Sequence, residues 1–513
     1  MARTRTQKAA LNTSMSAAAE IVSLVCGLIL PRLILLNFGS AYNGITSSAK
    51  QFLSAVSILT VGVAGSTRVA LYKSLAAKDN EKTSGIIWAT EKYMRKVGYA
   101  LLGLMAVLTI FYPMVVDTGY AWVEVAPLIV AAGISASGRY FFGTAYNALI
   151  SADQSIYIFK LFLIVTDILN VVMSLILIKM NCSIQIVKLV SSLILLMNPV
   201  LRSIYVRKKY RLDRSVKPDN SALSMRHEVM AHSIANIVHD HTDIIVLTIF
   251  CNVKIISVYT VYNLVMTMLK KTQAVFTSGT EAVYGDMWVR KEFDKIRNNL
   301  GYYEYVMTAF SSVFFSTTMA LILPFITLYT KGVHDTQYIL PTYAIVITCA
   351  QMFFSLRTPY MTLVQGIGHY QQTKKGAYAE AIINLIISVV LVQFIGIVGV
   401  AVGTLIANIF RTLQYAIYID NHVIKRGKMV FIKKILWVLS NVVLIYVCSA
   451  WLVQKYAALS WFAWIGCGIL TMIFSCMLTY LSSLLFYRSD MKGMLRIAHR
   501  AFGHRFRRRK GKD

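Results

Sequence analysis

The chain has 513 residues, of which 57% are hydrophobic and 15% charged, and its mean hydropathy is +0.59. A soluble globular domain carries about 25% charged residues, so this composition excludes an ordinary soluble protein. Apolar runs of about 20 residues, each long enough to cross a bilayer as a helix, recur along the whole chain. The sequence therefore predicts an all-α polytopic membrane protein.

The net charge of +29 has a simple explanation in such a protein. Basic residues cluster in alternate loops, as the positive-inside rule describes, so we expect no nucleic-acid partner. The seven cysteines are scattered singly, without a CxxC motif or a Cys/His cluster. Neither a disulfide framework nor a metal site is indicated, and no cofactor is expected.

Fourteen membrane spans are predicted in chain order. They cover residues 13–36, 45–70, 97–117, 122–148, 157–179, 184–206, 229–251, 256–284, 302–329, 338–365, 377–395, 397–418, 435–454 and 460–486. The N-terminus lacks a cleavable-signal pattern, and its first apolar run continues as a full span. Basic loops alternate with short, nearly neutral ones, which predicts a cell-membrane protein with both termini in the cytoplasm.

The chain also contains an internal repeat. The segment ILNVVMSLIL at 168–177 aligns with IINLIISVVL at 382–391, an offset of 214 residues that also places Pro127 on Pro341. Six spans precede the repeat point and six follow it, which predicts two lobes related by a pseudo-two-fold axis along the membrane normal. The predicted divisions are a lobe at 1–213, a lobe at 214–420, two additional helices at 421–486 and a basic cytoplasmic tail at 487–513.

Family-like motifs occur in the second half of the chain. A G-x-x-x-Q-T-K turn from Gly368 to Lys374 leads into a helix containing Asn384, and a G-x-x-G-x-A-x-G-T helix follows from Gly396 to Thr404. Over residues 12–420 the chain resembles the polysaccharide-biosynthesis exporters. These are lipid-linked oligosaccharide flippases of the multidrug/oligosaccharidyl-lipid/polysaccharide exporter superfamily.

The resemblance implies a fourteen-helix, two-lobed transporter rather than an enzyme. Its expected cargo is a polyprenyl-pyrophosphate-linked glycan, moved by alternating access from the inner to the outer leaflet for capsule, O-antigen or similar polysaccharide. Polysaccharide polymerase machinery and membrane lipids are the partners that the resemblance implies.

A pyrophosphate inside the membrane needs cations in a water-lined cavity, because charge is costly in hydrocarbon. The candidate substrate-binding residues are Lys270, Arg411, Arg139, Arg357 and Arg68. Lys270 and Arg411 lie about 14 residues, or about 21 Å, from an outer loop, which favours a cavity role. For Arg68, Arg139 and Arg357, snorkelling to the inner headgroups is an equal alternative.

A polar stripe marks the seventh span. His232, Asn236, His239 and Asp243 are spaced i, i+4, i+7 and i+11, so they share one helix face, whereas His241 points away. Glu20 lies on a similar stripe in the first span. Metal binding would need further converging ligands. The open alternatives are hydrogen bonding to neighbouring helices, contact with sugar, and a relay for H⁺ or Na⁺ coupling.

Three rival functions were weighed. A multidrug or ion-coupled small-molecule exporter of the same superfamily would share fold and repeat, but its usual cationic cargo suits a basic cavity less well. A membrane glycan polymerase or ligase normally needs a sizeable extramembrane site, for which the short outer loops leave no room. A major-facilitator transporter should carry a basic G-x-x-x-D motif after its second span, where LYKSLAAKDNEKTSG stands instead.

Overall fold

The computed structural model describes residues 5–60, 62–210, 212–220, 241–277, 279–427 and 429–494. Within these ranges the regular structure is entirely helical. The helices are α1 (Arg5–Phe38), α2 (Ser40–Ser54), α3 (Val63–Ala76), α4 (Asn80–Val115), α5 (Trp122–Gly138), α6 (Thr144–Ala152), α7 (Ile156–Lys179), α8 (Ile184–Tyr210), α9 (His241–Phe250), α10 (Val253–Thr277), α11 (Thr280–Val289), α12 (Phe293–Tyr329), α13 (Pro341–Gly366), α14 (Tyr370–Ile395), α15 (Ile397–His422), α16 (Met429–Tyr456) and α17 (Trp461–Phe486).

The helices are those of a multi-pass membrane protein, as predicted. Ten helical segments of the described chain are long and apolar enough to cross a membrane, and a bent pair formed by α2 and α3 makes an eleventh. The other three predicted spans coincide with α9, α10 and α13. In α10 and α13, polar residues such as Lys270 and Arg357 interrupt the apolar character that a span usually has.

The described chain divides into two compact units. Unit 1 comprises Met1–Leu264 with Gly332–Gln337, and unit 2 comprises Val265–Lys331 with Tyr338–Asp513. In unit 1, Ser48 of α2 hydrogen-bonds Thr248 of α9 at 2.8 Å, and Asn43 donates to Ser257 of α10 at 2.8 Å. These contacts explain why unit 1 extends to Leu264. The predicted lobe division at 213 and 214, which concerns the repeat, stays a prediction.

The two units use the same packing pairs. In unit 1, α5 packs against α4 and α8, and α8 packs against α7. In unit 2, α13 packs against α12 and α15, and α15 packs against α14. The offset of 214 residues relates each pair in unit 1 to its counterpart in unit 2. The repeated polar residues Asn170, Ser174, Asn384 and Ser388 are all buried.

Two glycines allow the closest helix pair in unit 2 to approach. A Cβ at Gly403 of α15 would overlap the Ser388 hydroxyl of α14, and one at Gly399 would overlap the Leu391 backbone. Small residues let backbones pack closely in membrane proteins, where the hydrophobic effect does not drive helix association. These glycines therefore serve packing, and they bring α15 within reach of charged side chains on α14.

Candidate functional site

A buried ionic cluster occupies the middle of unit 2, with the Glu380 carboxylate of α14 at its centre. Arg357 of α13 donates a hydrogen bond through Nη1 to Glu380 Oε1. Arg411 of α15 places its Nε 3.4 Å from Glu380 Oε2. Both arginines are 2% exposed and Glu380 is 5% exposed. The structure therefore brings two of the five predicted substrate-binding cations together around one carboxylate.

The guanidinium of Arg411 is held on every side. Its Nη1 donates to the Thr373 carbonyl at 3.0 Å and to Gln414 Oε1 at 2.7 Å, while Nη2 donates to the Tyr415 hydroxyl at 2.7 Å. The same group lies over the Tyr415 ring, with Cζ 4.0 Å from the centroid. Arginine suits such a site because its planar fork offers five donors and stacks on aromatic rings.

Lys270 joins the cluster through an aromatic ring. Its Nζ lies 5.2 Å from the centroid of Phe354, and Cζ of Arg357 lies 4.3 Å from the same centroid. Phe354 is thus shared by two cations, each attracted to the negative charge of the ring face. Lys270 is half-buried, in contrast to the two buried arginines, so it is the most accessible cation of the group.

Local packing explains why these side chains meet. Asn408 of α15 donates to the Ala350 carbonyl at 2.9 Å, and Thr412 donates to the Phe353 carbonyl at 3.0 Å, which fixes α15 against α13. Gly376 lies one turn before Glu380 on α14, and a Cβ there would overlap Nη1 of Arg411. The absence of a side chain at Gly376 therefore makes room for the guanidinium.

The cluster carries more positive than negative charge. Arg357 and Arg411 share one carboxylate, and Lys270 adds a further cation across Phe354. Unit 1 shows that the fold does not require these charges. The offset of 214 residues places Thr166 at the position of Glu380, and there Thr166 accepts a 3.1 Å hydrogen bond from Asn198. A neutral contact holds the equivalent helices together.

The remaining predicted cations lie in unit 1, apart from this cluster. Arg68 is exposed on α3, and Arg139 is exposed at the start of a π-helical turn, Arg139–Gly143, that links α5 to α6. Glu20 is half-buried on α1. One turn further along the same polar stripe, Ser23 donates to Asp167 of α7 at 2.6 Å. These residues keep their predicted roles as predictions.

The polar stripe of the seventh span is described only in part. His232, Asn236 and His239 lie outside the described residues. Asp243 is 6% exposed and accepts a 3.3 Å hydrogen bond from the Tyr259 hydroxyl of α10. His241 instead contacts Gln51 and Ser54 of α2. The two side chains thus face different neighbours, as their helical spacing requires.

Three further cations of unit 1 were not among the sequence candidates. Arg202 of α8 is buried, lies over the Phe159 ring at 4.4 Å and donates to Asn147. Lys188 of α8 is also buried, and Lys50 of α2 lies close enough for their charges to interact. Within the described chain, no carboxylate lies within ion-pair distance of these three. Their depth inside predicted spans was the signal that could have identified them.

Comparison with known proteins places the fold. No protein-family model matches the sequence, and no curated protein matches it. The structure is similar to that of the lipid II flippase MurJ in an inward closed conformation, with a TM-score of 0.68 and 15% identity over 93% of this chain and 99% of that chain.

Two transporter structures show the same similarity. An inward-facing multidrug-resistance MATE family transporter of the MOP superfamily gives a TM-score of 0.64 and 14% identity over 82% of this chain and 95% of that chain. The Vibrio cholerae MATE transporter VcmN gives 0.52 and 13% over 82% and 99%. At these identities the likeness concerns the fold alone. The chain has the fold found in this superfamily, and its resemblance to the polysaccharide exporters stays a prediction.

Proposed function

We propose that this protein is a flippase that exports a polyprenyl-pyrophosphate-linked oligosaccharide from the cytoplasmic to the outer leaflet. The observation that carries the proposal is the cluster of Arg357, Arg411 and Lys270 around a single carboxylate, Glu380, inside a transporter fold. Surplus positive charge among membrane-embedded helices is costly unless an anion balances it. A pyrophosphate supplies that anion.

The chemistry of the cluster also selects among cargoes. Arginine forks bind phosphate oxygens through paired, charge-assisted hydrogen bonds. Lys270 is the most accessible of the three, so it is the first contact for an arriving phosphate. The arginines then engage when Glu380 yields its place. A cationic drug would meet repulsion at the same position.

The rest of the transport cycle follows from the family resemblance. Both termini are cytoplasmic, and the two predicted lobes alternate access to the two leaflets without covalent chemistry. Asp243, with His239 on the same predicted face, supplies the coupling site for H⁺ or Na⁺. Polysaccharide polymerase machinery acts downstream on the exported glycan.

A multidrug exporter is the second candidate. Two of the similar structures belong to transporters called multidrug or MATE proteins. In unit 1 a buried acid, Asp243, is also available to attract a cation. This function predicts that the acidic residues of unit 1 determine transport and that the basic cluster of unit 2 has only a structural role.

Deletion of the gene distinguishes the two functions. If the protein is a flippase, a full-length lipid-linked glycan accumulates on the cytoplasmic side and surface polysaccharide is lost. Normal surface polysaccharide together with a loss of resistance to cationic drugs would instead establish the multidrug alternative.

Point variants test the cluster itself. Lys270→Ala and Arg411→Ala should each reduce glycan export by about tenfold or more, since each removes a charge-assisted bond of about 1.5–3 kcal/mol. Lys271→Ala is the matched control, because Lys271 is the sequence neighbour of Lys270 at the same depth. Export is compared at equal amounts of folded protein, measured by size-exclusion chromatography. Equal export by the Lys270 and Lys271 variants would refute the role of the cluster.

A further inference from the structure

A basic groove lies along one end of α4 in unit 1. The helix has 36 residues, or about 54 Å, whereas the hydrocarbon core is about 30 Å thick. The sequence analysis places residues 80–96 before the third span, and the structure makes them a continuous extension of that helix. A groove of about 520 Å³ follows this extension and is lined by Trp88, Lys92, Arg95, Lys96, Tyr99 and Arg214, among others.

The second wall of the groove is the segment 212–220, which hydrogen bonds hold against α4. Trp88 Nε1 donates to the Asp213 carbonyl at 2.5 Å, and the Asp219 amide donates to the Gly85 carbonyl at 3.0 Å. A Cβ at Gly85 would lie 3.0 Å from the Lys217 carbonyl oxygen, so a side chain there would push the segment away. Arg214 is thereby placed 5.3 Å over the Trp88 ring.

The groove carries surplus positive charge. Its lining includes the cations Lys92, Arg95, Lys96 and Arg214 and one carboxylate, Glu91. The Glu91 side chain is 4% exposed and is already paired with Arg95 at 2.9 Å and Arg207 at 3.4 Å. The groove therefore offers charge-assisted donors to a phosphate, and its own carboxylate is turned into the protein.

The same helix face changes from basic to apolar along its length. Lys92, Lys96, Tyr99, Val107 and Ile110 recur at helical spacing, so they lie on one face. Tyr99 is 64% exposed, Val107 50% and Ile110 54%. Aromatic residues such as Tyr99 favour the level of the headgroups. A phosphate in the groove would thus be attached to something that continues along an exposed apolar surface.

We propose that this groove binds the anionic headgroup of a phospholipid, with an acyl chain lying along the apolar face of α4. A free phosphate would need only the basic part, whereas a phospholipid uses both parts of the face. The predicted orientation assigns the lipid to the cytoplasmic leaflet, where anionic lipids attract basic residues. The site is independent of the proposed transport cargo, because its residues lie outside the cluster around Glu380.

Native mass spectrometry of the delipidated, purified full chain tests the proposal. Titration with phosphatidylglycerol should show a tightly bound lipid that phosphatidylcholine does not replace. The variant Lys92→Gln/Lys96→Gln should bind phosphatidylglycerol more weakly, by roughly fivefold for each removed charge. The control Lys73→Gln/Lys82→Gln removes the same charge from exposed residues outside the groove and should bind like the wild type. Thermal unfolding confirms that both variants are folded.

Three outcomes would overturn the proposal. Equal weakening in both double variants would show a general effect of net charge rather than a site. Displacement of phosphatidylglycerol by millimolar inorganic phosphate would show that the groove recognises phosphate without a lipid. Preferential binding of a polyprenyl pyrophosphate over phosphatidylglycerol would assign the groove to cargo.

Discussion

At the scale of single residues, the most consequential position is Glu380. It compensates two arginines that are each 2% exposed, and it lies among helices that pack tightly through glycines. A buried ion pair contributes little net stability when intact, but removing one partner leaves an uncompensated charge. Glu380 therefore stabilises the empty transporter and competes with the phosphate of the proposed cargo.

Glu380→Gln should destabilise the protein by roughly 3–5 kcal/mol, because two buried arginines lose their shared counter-charge. The apparent melting temperature in detergent measures this effect. Adding Arg357→Met to the same chain should recover part of the loss, since one of the uncompensated charges is then removed. An unchanged melting temperature for Glu380→Gln alone would contradict the central role of this carboxylate.

At the scale of elements, a second buried carboxylate joins α16 to α12. Glu304 of α12 accepts hydrogen bonds from both terminal nitrogens of Arg426, one at 2.8 Å, and from Lys434 of α16 at 2.7 Å. Arg426 also donates to Asp420 at the end of α15 at 2.8 Å. The group therefore attaches the first of the two additional helices to the repeat that precedes it.

Glu304→Gln should loosen this attachment, since Arg426 and Lys434 lose the carboxylate that balances them. We expect faster proteolysis in the connection before α16, measured by limited digestion in detergent. Glu292→Gln is the matched control, because Glu292 precedes the same helix and pairs with Lys295 at the surface, at 2.7 Å. Surface pairs contribute about 0–1 kcal/mol, so the control should digest like the wild type.

A third acid, Asp153, joins three segments of unit 1. Its carboxylate accepts from Lys8 of α1 at 3.3 Å, from Lys209 at 3.0 Å and from the Tyr210 hydroxyl of α8 at 2.6 Å. Burial alone would raise the pKa of Asp153, but the hydrogen bonds from Tyr210, Ser155 and Lys209 outweigh it and lower the pKa to about 2. The ionised carboxylate is therefore favoured in the folded state.

This lowered pKa gives a pH-dependent contribution to stability. The contribution is complete above the ordinary pKa of 3.8 and is lost as the pH falls through about 2. Asp153→Asn should therefore melt at a lower temperature than the wild type at pH 7, and the difference should shrink as the pH falls from 5 towards 2. A difference that stays constant over this range would mean that the charge of Asp153 is not responsible.

At the scale of the whole molecule, the predicted orientation is the property that most needs a direct test. The proposed direction of transport and the proposed lipid leaflet both depend on it. The loop between α7 and α8 contains Cys182 and is expected outside, whereas the segment containing Ser215 is expected in the cytoplasm. The two positions therefore provide a matched pair of reporters.

A membrane-impermeant maleimide should label Cys182 in intact cells. In a variant whose other cysteines are replaced, Ser215→Cys together with Cys182→Ser should be labelled only after the membrane is permeabilised. The reverse pattern would invert the orientation and would assign the basic groove of α4 to the outer leaflet.

The sequence by itself determined that this is an all-helical, multi-pass membrane protein, because a bilayer requires long apolar helices and these are visible in any single sequence. The repeat pattern was visible for the same reason, since equivalent helices keep equivalent buried residues such as Asn170 and Asn384. Helical spacing also separated Asp243 from His241 correctly, because both lie on one short helix.

Only the tertiary structure decided which charges meet. Arg357, Glu380 and Arg411 lie on three helices, and nothing in their spacing along the chain reveals that one carboxylate serves both arginines. The sequence favoured Lys270 and Arg411 by depth, yet depth cannot distinguish a buried partner from an accessible one. Likewise, residues 80–96 were charged enough to be assigned to a loop, and their helical form depends on contacts with segment 212–220. Long-range packing sets these features, so they emerge only when the helices are placed against one another.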